Sequence, residues 1–104
     1  MRLSLCASEQ VSIALKPFSY GLHGHDVEVE ACWCFGVEER VDVEELSQRL
    51  RSALAKFERR PLWEVLGREG ATIEDMLLSL TEELGKELCS LEARWRGRRI
   101  ELNF

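Results

Sequence analysis

The sequence predicts an α+β domain: a four-stranded antiparallel sheet with two helices on one face, in the order ββααββ. Three observations carry this. Hydropathy alternates with a period of two near the N-terminus and again over 26–35. Two central stretches place apolar residues at helical spacing. Two short alternating stretches close the chain. Strands at both ends with helices between them imply one antiparallel sheet, covered on one side.

In the first strand Leu3, Leu5 and Ala7 alternate with Arg2, Ser4, Cys6 and Ser8. Val11, Ile13 and Leu15 continue it after an expected irregularity at Glu9-Gln10. Pro17 ends it, and 18–24 reads as a loop. From Asp26 to Phe35 the alternation is clean. Val27, Val29, Ala31, Trp33 and Phe35 take one face, and Asp26, Glu28 and Glu30 the other. Sheets with one wet face read this way.

Asp42, with Glu45 three residues on, has the pattern of a helix N-cap. Leu46, Leu50, Leu54 and Phe57 follow at helical spacing, and Arg59-Arg60-Pro61 is the expected stop. Leu62 to Gly70 reads as a connector with room for a helical turn. Thr72, with Asp75 three residues later, caps a second helix. Its apolar face is Ile73, Met76, Leu77, Leu80, Leu84 and Leu88. The closing strands centre on Leu91–Trp95 and Ile100–Phe104, with Gly97 in the turn.

A chain of 104 residues, 45% hydrophobic and 32% charged, is one globular domain. A net charge of −5 argues against nucleic acid as the main partner. Arg94, Arg96, Arg98 and Arg99 crowd the C-terminal end and read as a solvated strand face. No apolar run is long enough to span a membrane, and no signal-peptide core follows Met1, so the expected location is cytoplasmic. In that compartment Cys6, Cys32, Cys34 and Cys89 are expected as reduced, half-buried thiols. Cys32 and Cys34 share a strand face and do not readily bridge each other.

The distinctive chemistry is His23-Gly24-His25, which holds both histidines of the chain. In an extended backbone residues i and i+2 point the same way, so both imidazoles can reach one ion. Two neutral imidazoles suit zinc, which then needs a third ligand from elsewhere. On spacing alone, a polar histidine pair in a loop is an equal reading.

Several segments together resemble the family of 6-pyruvoyltetrahydropterin synthase and 6-carboxytetrahydropterin synthase. Leu22-His23-Gly24-His25-Asp26-Val27 looks like its LHGH strand entry. Val41-Asp42-Val43-Glu44-Glu45-Leu46 is similar to its first helix start. The stretch FERRPLWEVLGREGATIE (57–74) aligns with its LDHxxLN…PTxE segment, matching at Leu62, Thr72 and Glu74. The resemblance implies the tunnelling fold (T-fold), whose subunits join their sheets into a barrel. It also implies a homo-oligomer, trimer or hexamer, with sites at subunit boundaries, a Zn2+ ion, and a pterin or purine-like small molecule.

Carried over residue by residue, much of the family's chemistry is substituted. Glu9 stands where the first zinc histidine would be, leaving His23, His25 and Glu9 as the implied metal set. A carboxylate ligand makes the ion a weaker Lewis acid than a third histidine does. Ser19 replaces the family's cysteine, and a hydroxyl gives up its proton far less readily than a thiol. Glu58-Arg59 replaces the Asp-His pair; Arg59 cannot serve as a base near neutral pH. Arg96 stands nearest the late glutamate that holds the pterin edge, with opposite charge. Thr72 and Glu74 remain as ligand-binding candidates, although Glu74 also suits a helix N-terminus. The implied function is that of a diverged relative, metal-binding at His23/His25, without the standard catalytic set. An active zinc-dependent lyase using Glu58, Ser19 and Glu9 and a purely structural oligomeric module are the alternatives.

Overall fold

Apolar residues at every second position commit two long segments to strands that share one buried face. The computed structural model describes residues 1–15 and 23–104, with only the backbone of His23. β1 (Arg2–Leu15) pairs antiparallel with β2 (His23–Gly36) in one unbroken register, from Arg2 opposite Gly36 to Leu15 opposite His23. The irregularity expected at Glu9-Gln10 is absent, because the parity of the apolar positions runs unchanged from Leu5 to Ile13. The loop expected at 18–24 lies largely outside the described residues.

α1 (Val43–Ala55) follows, capped as expected by Asp42, whose Oδ1 accepts from the Glu44 N–H at 2.9 Å. It ends four residues before Arg59. Phe57 is still fully buried, but from a turn and not from the helix. β3 (Arg60–Pro61) lies within the expected stop, and α2 (Leu62–Leu66) occupies the connector, closed by Gly67 at φ 65. α3 (Ile73–Leu84) comes next, then β4 (Leu88–Trp95) and β5 (Arg98–Asn103). Leu88, expected on the helix face, opens β4 because Gly85 ends α3. The β4–β5 turn places Arg96 at φ 48 and Gly97 at φ 73, the left-handed pair a two-residue hairpin turn requires.

The sheet order is β3-β1-β2-β4-β5. This corrects the expected four-stranded antiparallel ββααββ sheet. β3 pairs parallel to Ile13 and Ala14 of β1, making the sheet five-stranded and mixed. A two-residue strand has no period, so alternation cannot reveal it. Among the described residues, β1 before Ser12 has no strand on that side.

The core lies between the sheet and the helices. Val11, Val29, Trp33 and Leu91 come from the strands, and Leu50, Met76 and Leu80 from the helices. Trp33 Nε1 donates to the Leu84 carbonyl at 2.7 Å and ties α3 to the central strand.

The N-terminus of α3 is a full capping box. Thr72 Oγ1 accepts from the Asp75 N–H at 3.2 Å, and Asp75 Oδ2 accepts from the Thr72 N–H at 2.9 Å. The Thr72 backbone hydrogen bond, with help from its hydroxyl and from Arg68, holds the Asp75 carboxyl below its ordinary value, against the opposing effect of burial. A lowered folded-state pKa stabilises the fold fully above the unfolded value and is lost as pH falls through the folded one. Asp75→Ala is expected to cost about 1 kcal/mol at pH 7. Urea denaturation should show that deficit shrinking in acid. An equal deficit at pH 7 and pH 2 would remove the electrostatic part.

The expectation of four free thiols is also corrected. Cys6 is bonded to Cys32, and Cys34 to Cys89. Cys6 stands directly across from Cys32, and a bulge between Cys32 and Trp33 brings Cys89 against Cys34. Sequence separations of 26 and 55 conceal both pairings.

Candidate functional site

The β2 parity that buries Val27, Val29 and Ala31 also puts His25 on the helix-covered face. His25 is half-buried at the end of the sheet, opposite Ile13. Beside it, the chain leaving α1 turns through Arg59, whose φ of 57 is left-handed for a residue with a Cβ. Ser12 fixes this turn twice. The Arg59 N–H donates to the Ser12 carbonyl at 2.6 Å, and the Ser12 N–H donates to Glu58 Oε2 at 3.2 Å. His25, Arg59, Ser12, Asp26 and Gly24 thereby line one open cleft of about 310 Å³. The Arg59 side chain is 88% exposed, and its Nε lies 4.0 Å from Glu58 Oε1 in an exposed ion pair. On the cleft's other wall Ser12 Oγ donates to Asp26 Oδ1 at 2.5 Å.

Glu9 is not placed beside His25. Glu9 stands opposite Val29, whereas His25 stands opposite Ile13. Four residues along a strand is roughly 13 Å, too far for side chains leaving one sheet face to close on one ion. Glu9 is also held elsewhere: Arg51 donates to its Oε1 from Nη2 at 2.9 Å and from Nε at 3.2 Å. The β1 register partner of His25 is Ile13, which offers no ligand atom. Among the described residues, no group of three His, Cys, Asp or Glu side chains is placed to hold an ion.

Glu9 is grouped instead with Glu58. Both line a second cleft of about 360 Å³ with Arg51 and Leu54, on the α1 side of β1. Arg96 lies in a third, of about 550 Å³, with Arg94, Arg98, Arg99 and Glu28. There the hydrogen bond that Arg94 donates to Glu28 raises the Arg94 pKa above its ordinary value, against the opposing effect of burial. Asp26 borders both this cleft and that of His25. Thr72 is committed to capping α3, and Glu74 is exposed on its first turn. Neither lines the His25 cleft. Ser19 and the His23 side chain lie outside the described residues.

Ser12 was missed by sequence reasoning. Its only signal is a polar residue between Val11 and Ile13, which reads as an ordinary wet-face position. Asp26 had the same innocuous reading.

No protein-family profile matches the sequence, and no curated protein sequence matches it. A solved structure does. The 6-pyruvoyl tetrahydropterin synthase of Caenorhabditis elegans superposes with a TM-score of 0.83, covering 100% of this chain and 96% of that one, at 12% identity. The chain has the 6-pyruvoyl tetrahydropterin synthase fold. At this identity the likeness is one of architecture, reached by a widely diverged sequence. Within that fold the cleft lined by both His25 and Arg59 is made of this chain's own residues, and its chemistry follows from them. A fork of guanidinium donors beside an imidazole favours an anionic or electron-rich planar ligand. Glu58, with one oxygen on the Ser12 N–H, acts first as a brace for the turn.

Proposed function

We propose that this chain is a diverged 6-pyruvoyltetrahydropterin synthase-like protein that binds a small anionic, pterin- or purine-like molecule in the His25–Arg59 cleft and does not run the synthase reaction. The observation that carries this reading is the meeting of Arg59 and His25 in one cleft. Arg59 stands where the resemblance expects a proton-accepting histidine, and a guanidinium binds anions without taking protons. Within the same reading a divalent ion has His23 and His25 as its protein ligands and gains none from Glu9. The free side of β1 and the outer edge of β5 are unpaired strand edges among the described residues, which favours a homo-oligomer built by sheet extension.

The test uses the purified chain with dihydroneopterin triphosphate and unphosphorylated neopterin. The phosphorylated compound is expected to bind tenfold or more tightly and to be recovered unchanged. Turnover that disappears in His25→Ala would overturn the proposal in favour of an active lyase. Zinc content per chain, compared with that of a His23→Ala/His25→Ala variant, decides the metal part. Sedimentation equilibrium decides the oligomer part, and a monomer at micromolar concentration removes it.

A further inference from the structure

The two outer edges of the sheet complement each other. Each strand in the run β1-β2-β4-β5 is antiparallel to its neighbour, so β5 runs opposite to β1. A second copy laid beside the first, with its helices on the same side, brings its β5 antiparallel against β1. Among the described residues that edge of β1 is free over Arg2–Val11, and β3 takes it from Ile13 on. The six residues of β5 fit within the free stretch. On the helix-covered face β1 presents Leu3, Leu5, Ala7 and Glu9, of one parity with buried Val11. On the same face β5 presents Arg98, Ile100 and Leu102, opposite Trp95, Ala93 and Leu91 of β4, and Phe104 continues their parity. Shared parity permits registers two residues apart, and charge and β3 choose among them. With Leu102 opposite Leu5, Ile100 meets Ala7 and Arg98 meets Glu9. Sliding β5 one step toward the end of β1 sets Ile100 against Glu9 and drives the Arg96 turn onto Ile13, where β3 already pairs. Sliding it the other way sets Arg98 against Ala7 and leaves Glu9 without a cation from the second copy. The two charges are free to meet. Both bonds from Arg51 go to Glu9 Oε1, so Oε2 can still accept. Arg94 and Arg99 both reach Glu92, whereas Arg98 makes no ion pair among the described residues. The apolar end fits as well. Phe104 comes opposite Leu3, beside the cleft of about 590 Å³ that Leu3, Leu5, Val37, Val41 and Val43 line. Four of the six exposed large apolar residues described, Leu3, Val37, Val43 and Phe104, then gather at one contact.

We infer that copies of this chain associate head to tail in one frame: β5 of each copy pairs with β1 of the next, Leu102 opposite Leu5, so that Arg98 binds the next copy's Glu9 and Phe104 covers its Leu3–Val43 cleft. This contact rests on the sheet extension proposed above and adds its polarity and its register. The surface is heterologous, because its two halves lie on different edges of one chain and every copy uses both. Each half supplies what the other lacks. The β1 half has an apolar cleft and an acceptor, and the β5 half has an exposed aromatic side chain and an unpaired guanidinium. The apolar rows set the face, and the Arg98–Glu9 pair selects the register, since like charges directly opposite destabilise a strand pair and opposite charges support it. The contact ends short of β3, so the turn that Ser12 holds through Glu58 and Arg59 is left in place.

Sedimentation equilibrium on the full chain compares the parent with Arg98→Glu, Glu9→Arg and the variant carrying both changes. Each single change sets like charges opposite each other and should raise the dissociation constant at least tenfold. The double change restores opposite charges and should recover most of that loss. Phe104→Asp should weaken association at least tenfold as well. An oligomer indifferent to all four variants overturns the frame and leaves sheet extension standing, whereas a monomeric parent chain overturns both. A second measurement needs no charge reversal. In Arg98→Lys, a carbodiimide should join position 98 directly to Glu9, and mass spectrometry of the linked peptides identifies the bond. Within one chain three strand spacings separate β5 from β1, roughly 14 Å and beyond the reach of a direct amide, so this link joins two copies. A link from position 98 to a carboxylate of another copy other than Glu9, or no link between copies of the oligomer, overturns the inference. If a charge-reversed variant fails to fold, the cross-link still decides.

Discussion

Trp33→Ala is expected to lower stability by about 3–5 kcal/mol, the usual range for a large aromatic removed from a core. Trp33 is fully buried on the central strand. Its indole fills the layer between sheet and helices, and its N–H meets the Leu84 carbonyl at 2.7 Å. A domain of this size has roughly 5–15 kcal/mol in total, so the variant would be marginal. Trp33→Phe separates the two contributions. It keeps most of the apolar volume and loses the hydrogen bond, at about 1 kcal/mol. The Leu84 carbonyl is not stranded by that change, because Arg49 Nη1 also donates to it at 3.3 Å. Urea denaturation followed by circular dichroism measures both. A Trp33→Ala loss below about 1 kcal/mol would show that this position is not the centre of the core.

The Arg59 series is expected to move stability and ligand binding in opposite directions. Arg59 holds φ 57 without being glycine, a conformation that costs roughly 1–2 kcal/mol for a residue with a Cβ. Arg59→Gly removes that cost but adds freedom to the unfolded chain, leaving a net gain of about 0.5–1 kcal/mol. The same change deletes the guanidinium from the His25 cleft. A charge-assisted hydrogen bond of about 1.5–3 kcal/mol then disappears, and the phosphorylated pterin should bind at least tenfold more weakly. Arg59→Ala should lose the binding without gaining the stability. Arg59→Lys should keep part of the affinity, having the charge but not the planar fork. If Arg59→Gly binds as tightly as the parent chain, the anion is not held at this residue.

Long periodic segments were legible in the sequence because burial on one face writes itself into parity. The apolar face of β2, the stripe of α1 and the Thr72–Asp75 box are the clearest cases. What escaped depends on register and on contacts between distant residues. The position of Glu9 relative to His25 follows from pairing Glu9 with Val29, a fact of alignment between strands and not of either strand alone. The disulfides escaped for the same reason, compounded by a bulge that alternation cannot show. Arg59 was singled out in the sequence, but its place in one cleft with His25 required the turn that Ser12 holds.

The continuous β1–β2 register also bears on how the chain folds. Pairs at the His23 end join residues close in sequence, and pairs at the Gly36 end join residues far apart. Loop closure costs less entropy for the near pairs, so the hairpin is expected to zip from the histidine end toward the N-terminus. Cys6 meets Cys32 only late in that progress. A slip of one residue would turn Cys6 to the opposite face from its partner. Oxidation of this pair therefore proofreads the alignment: the bond closes only on strands that have already found their native frame.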